Sequence, residues 1–127
     1  MALRFLDPDA TTTAEVDGVV FTIGYWPPRE AEKIGAGIAA IRKVGQDTEE
    51  ARRMAFEVHR RMVEYGLRAF DGALAGAIET ETIYGRTHPR VSDRVLHQLY
   101  LNHAIWPLGM ACLKWNSLSE DEKKASG

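Results

Sequence analysis

The chain has a single cysteine, Cys112, so no internal disulfide can staple it. No apolar run approaches the roughly 20 residues needed to cross a bilayer, and no charged-then-apolar leader pattern opens the chain, which points to a cytosolic protein. Neither sign of charge is in surplus. The net charge is -2, so no general attraction to nucleic acid or to an anionic membrane is expected. Low-complexity segments and internal repeats are missing as well. With 45% hydrophobic residues, the 127-residue chain should form one domain, 1-127, that buries a core unaided.

Patterns that carry chemistry are equally scarce. Of the four histidines, His59, His88, His97 and His103, no two stand at i, i+3 or i, i+4, so a metal site is not expected. Ser92, Asp93 and His97 lie close in sequence, but no glycine-framed nucleophile elbow surrounds them, and Ser92 reads better as a helix cap. Glu79 and Glu81 have no apolar surroundings to raise a carboxylate pKa. Gly35-Ala36-Gly37 lacks the Gly-Lys-Ser/Thr of a phosphate loop. Cys112 sits among Leu108, Met110, Ala111 and Leu113 and reads as a small buried hydrophobe. An enzyme is not expected, and no cofactor is implied.

The chain does contain a legible start. Asp17-Gly18 separates the alternating runs 11–16 and 19–25, and a two-residue turn with positive φ at both positions sets Val16 opposite Val19, Ala14 opposite Phe21 and Thr12 opposite Ile23. Val16, Val19, Phe21, Ile23 and Tyr25 then share one face, which needs a cover. Leu3-Arg4-Phe5 is placed to add a third short strand. Pro27-Pro28-Arg29-Glu30 opens a helix over 28–44 whose Ile34, Ile38 and Ile41 form the nearest covering stripe. Gly35 and Gly37 inside it mark either close approach of another element or a flexible point.

Gly45 ends that helix, and Asp47-Thr48-Glu49-Glu50 offers a capping box with Asp47 as the cap. The second helix carries Ala51, Ala55, Val58, Met62 and Tyr65 on one stripe until Gly66. Its outer face holds Arg52, Arg53, Glu57, Arg60, Arg61 and Glu64, and Glu49–Arg53, Glu57–Arg61 and Glu64–Arg68 at i, i+4 should partly neutralise it, so nucleic acid is not the expected partner. Between 67 and 90 the pattern weakens. Ala73 to Ile78 fits a short helix as well as a loop, Glu79 to Ile83 reads as extended or irregular, and Pro89 stops any preceding helix. Ser92-Asp93 caps a third long helix running to about Asn116, with a kink or break near His103–Trp106 imposed by Pro107. The expected architecture is α+β, mostly α: an N-terminal hairpin region (1-26) packed on three to four helices (28-116), followed by a short polar tail (117-127) with a capping box at Ser119.

Three tryptophans are more than a minimal core requires. Rigid aromatics anchor interfaces, so Trp26, Trp106, Met110, Trp115 and Leu118 are the candidate partner-binding residues, with core packing as the competing role. Few charges lie between Val95 and Leu113, so the last helix should be covered on more than one side, and a second copy in a homo-oligomer would supply such cover.

Several segments resemble the small tail assembly chaperones of long-tailed (siphovirus-type) bacteriophages. They are Glu15-Val16-Asp17-Gly18-Val19-Val20-Phe21-Thr22-Ile23 running into Pro27-Pro28-Arg29-Glu30; Tyr65-Gly66-Leu67-Arg68-Ala69-Phe70-Asp71-Gly72; the loop leading into the Ser92-Asp93 helix; and Asn116-Ser117-Leu118-Ser119-Glu120-Asp121-Glu122-Lys123-Lys124. Ala75-Gly76-Ala77 departs from the acidic-glycine turn of that pattern. The resemblance implies a non-enzymatic role in the host cell cytoplasm: binding the tape measure protein, keeping its apolar helices soluble, and recruiting tail tube protein. Chaperones of that family can be extended by a ribosomal frameshift, so a slippery site near the codons for Glu122-Lys123-Lys124, with an overlapping frame downstream, would support the resemblance. A structural virion component, either a head-tail connector or a minor tail protein, is the alternative, and a small enzyme or regulator without recognisable motifs is a third reading.

Overall fold

The computed structural model describes residues 9–45, 47–72 and 76–117. The chain forms β1 (Thr11–Val16), β2 (Val19–Gly24), α1 (Pro28–Val44), α2 (Glu49–Gly66), β3 (Leu67–Phe70), β4 (Ile78–Ile83), β5 (Arg86–Val91), α3 (Asp93–Leu101) and α4 (Ile105–Ser117). The expected class, α+β and mostly α, is the one observed: four helices stand beside a three-stranded antiparallel sheet in the order β1-β2-β3 and a separate β4-β5 hairpin.

Asp17 and Gly18 adopt φ of 50° and 79°, and the ladder sets Val16 against Val19, Ala14 against Phe21 and Thr12 against Ile23, the register that an Asp-Gly turn dictates. Leu3, Arg4 and Phe5 lie outside the described residues, and the partner of β2 is β3, which follows α2 without a loop. Leu67 leaves the helix with φ -78° and ψ 130°, so Gly66 is both the last helical residue and the hinge into the sheet.

The cover of the hairpin also differs from expectation. Ile34 and Ile38 do join Ile23 in one cluster with Met62 and Cys112, but α1 packs mainly along α2, and α4 is the helix that crosses β1 and β2. A larger cluster gathers Phe21, Val63, Leu67, Val91, Leu96, Ile105 and Leu108 from both sheets and three helices. Of the two α1 glycines, Gly37 marks a close approach, since a Cβ there would meet Val58 Cγ2 at 2.6 Å, whereas Gly35 faces open space.

The cap of α2 is Thr48, whose Oγ1 accepts from the Ala51 N–H at 3.0 Å, and not Asp47. Within 67–90 a short helix is one of two readings for 73–78. Residues 73–75 lie outside the described set, Gly76 and Ala77 form a turn, and Ile78 already belongs to β4. Glu79–Ile83 is extended, and it pairs with β5 through a Tyr84-Gly85 turn whose φ values, 49° and 79°, nearly repeat those of Asp17-Gly18. Pro89 therefore lies inside a strand, opposite Thr80, in a two-stranded ribbon where a missing N–H is tolerated. The expected break before Pro107 is present: α3 ends at Leu101, His103 turns the chain with φ 57°, and Pro107 occupies the first turn of α4, where its absent N–H costs nothing.

Candidate functional site

The five candidate residues part company in space. Trp26 is a structural bolt: its Nε1–H donates to the Met62 carbonyl at 3.0 Å and its backbone N–H donates to Asn116 Oδ1 at 3.0 Å. Asn116 in turn donates to the Gly24 and Cys112 carbonyls, tying the end of α4 to the end of β2. Trp115 is half-buried and stacks on Tyr25 with centroids 5.6 Å apart. Leu118 lies outside the described residues. Trp106 and Met110, by contrast, are one turn apart on α4 and expose 47% and 53% of their surface.

Residues not singled out from the sequence complete this corner. Tyr100 and Leu101, at the end of α3, are likewise about half exposed. Phe56 and His59 of α2 join the two helices, because Phe56 meets Tyr100 edge-on at 5.3 Å and His59 lies against Trp106 at 4.1 Å. His59 Nδ1–H donates to the Ala55 carbonyl at 2.8 Å, and its buried Nε2, beside Trp106, has no hydrogen-bond partner among the described residues. The available signal was helical phase: with Val95, Leu96 and Leu99 buried, Tyr100 and Leu101 fall off the inward stripe of α3. Beside this row runs a groove of about 750 Å³ between α2 and α3, floored by Phe56, Leu96, Tyr100 and Ile105, with Arg52, Arg53 and Arg60 along its α2 wall.

A second concentration of polar side chains serves the fold. Glu30 is fully buried at the start of α1, and Arg61 reaches it at 2.7 Å, with Arg29 and Lys33 at 3.6 and 3.8 Å. Glu64, expected on the outer face of α2, is instead buried, with Arg90 on it at 2.5 Å, and Asp93 receives Arg60 at 3.2 Å. The Tyr65 hydroxyl, its pKa pushed up to about 12 by burial and by its bond to Glu81, donates to that carboxylate at 2.7 Å; the same bond holds Glu81 below its ordinary value. These ties between α1, α2, β4-β5 and α3 stand in place of the three i, i+4 pairs read from the sequence, Glu49–Arg53 among them, none of which forms among the described residues. Arg61 goes to Glu30 rather than Glu57, and Arg68 goes to the carbonyls of Tyr65 and Tyr25 rather than to Glu64.

His88, half-buried beside the Arg68 guanidinium at 3.4 Å, is shifted below its ordinary pKa by burial and by that neighbouring charge. Its ring is then neutral near pH 7, with Nδ1–H donating to the Pro89 carbonyl at 2.7 Å and Nε2 left to accept from Arg68. Burial pushes the Cys112 thiol up to about 12, so it stays a thiol and packs as a hydrophobe. Among the described residues no group of three or more His, Cys, Asp or Glu side chains could hold a metal ion, and no helix is long and apolar enough to cross a membrane.

Comparison with protein-family models, with curated proteins and with solved structures returned no match to this chain.

Proposed function

We propose that this chain is a non-enzymatic binding protein that holds an amphipathic helix of a partner against the corner formed by α2, α3 and α4, acting as a phage tail assembly chaperone for a tape measure protein. One observation carries the binding reading: Tyr100, Leu101, Trp106 and Met110 stand about half exposed around the Phe56–His59 edge of α2. A cluster of large apolar side chains left at the surface costs solubility unless something covers it, and aromatic residues with methionine are the side chains that anchor helices in grooves. The chaperone identity rests on the sequence resemblance, which also supplies tail tube protein as a second partner and the host cytoplasm as the setting.

Co-expression with a tape measure protein tests this directly. The wild-type chain should raise the soluble fraction of that partner severalfold, and Trp106→Ala/Met110→Ala should abolish the gain while leaving the chain itself soluble. Purified particles should lack the chain. Its recovery there at fixed stoichiometry would replace the chaperone reading with that of a connector or minor tail protein.

A further inference from the structure

We infer that the partner helix seated in the α2–α3 groove is acidic along the edge that faces α2. This rests on the binding reading above and adds the chemistry of the occupant. The floor, Phe56, Leu96, Tyr100 and Ile105, takes apolar anchors of any sequence. The wall discriminates. Of its three arginines only Arg60 meets carboxylates among the described residues, Asp93 at 3.2 Å and Glu64 at 3.6 Å. Arg52 touches only the Asp47 backbone carbonyl, at 3.2 Å, and Arg53 has no carboxylate within 4.0 Å among the described residues.

The two acidic residues lining the groove do not cancel this. Asp93 is held by Arg60 and by Arg90. Glu49 sits in the first turn of α2, where the positive helix end already answers its charge. Two guanidiniums one residue apart, beside an apolar floor, thus remain unanswered, and a guanidinium reads a carboxylate in a planar, bidentate way. A helix about 10 Å across laid on this floor brings its flanking side chains to the α2 wall. Glutamates or aspartates there would be paired, and lysines would be repelled. The whole-chain charge of -2 opposes a long polyanion, whereas a short acidic edge responds to charges within about a Debye length, roughly 10 Å.

The test uses two synthetic helical peptides with identical apolar faces, one flanked by Glu and its twin by Lys, titrated against the full chain by fluorescence anisotropy. The Glu peptide should bind at least about tenfold tighter, an advantage that high salt erases. Arg52→Glu/Arg53→Glu should reverse the preference, with Arg52→Gln/Arg53→Gln merely removing it, and circular dichroism confirming the fold of each. Trp106→Ala should weaken both peptides alike. Equal binding of the twins overturns the acidic partner and leaves the apolar corner standing. Failure of both to bind overturns the binding reading itself. Displacement of the Glu peptide by a single-stranded DNA oligonucleotide, lost in the Arg52→Gln/Arg53→Gln variant, would reassign the arginines to nucleic acid.

Discussion

Gly35 and Gly37 show at the residue scale how little a residue's type says about its role. Both lie in the middle of α1, and in sequence they are interchangeable; only the neighbour differs, open space at one and Val58 at 2.6 Å at the other. Gly35→Ala should therefore stabilise the fold by about 0.5–1 kcal/mol, through helix propensity alone. Gly37→Ala should lose that gain and cost about 1–3 kcal/mol more, because the branched Val58 cannot retreat. Urea unfolding of the two variants, fitted with a common slope, separates the signs. The buried carboxylates make the same point. Glu30 looks like any acidic residue favouring a helix N-terminus, and that it is fully buried on Arg61, 31 residues away, cannot be read from periodicity.

Among the elements, the N-terminal hairpin and the β4-β5 hairpin differ in legibility for a definite reason. Asp17-Gly18 has the composition that positive φ demands, and clean alternation flanks it. Tyr84-Gly85 reaches the same φ values with a tyrosine at the first position, and its strands hold Glu, Thr, Arg and Pro with little alternation, since neither is buried along its whole length. β5 also carries the pH dependence expected of the fold. His88 has a folded pKa below its ordinary 6.5, so the unfolded chain takes up a proton first as pH falls. Stability contributed at this site is full above about pH 6.5 and declines below it, until the folded ring also protonates beside Arg68. The urea midpoint should thus drop between pH 7.5 and 5.5, and His88→Gln should reduce that drop; an unchanged slope in the variant would remove His88 as its source.

For the whole molecule, α4 joins both clusters of the core while its Trp106 and Met110 stay at the surface. Leu108, on the inner side, is fully buried, so Leu108→Ala should cost about 2–5 kcal/mol. Trp106→Ala/Met110→Ala should cost far less in chemical denaturation, the larger share coming from the tilted contact of Trp106 with His59. The contrast separates the residues that hold the fold from those offered to a partner. Hairpin register, the break before Pro107 and the amphipathic stripe of α2 were determined by the sequence alone, because each depends on φ preferences or spacing within a few residues. The attachment of β3 to β2, α4 as the cover of the hairpin, the pairing of each arginine, and the separation of Trp106 and Met110 from Trp26 and Trp115 were decided only by tertiary structure. Those outcomes depend on which surfaces meet across tens of residues, and local preference carries no information about that.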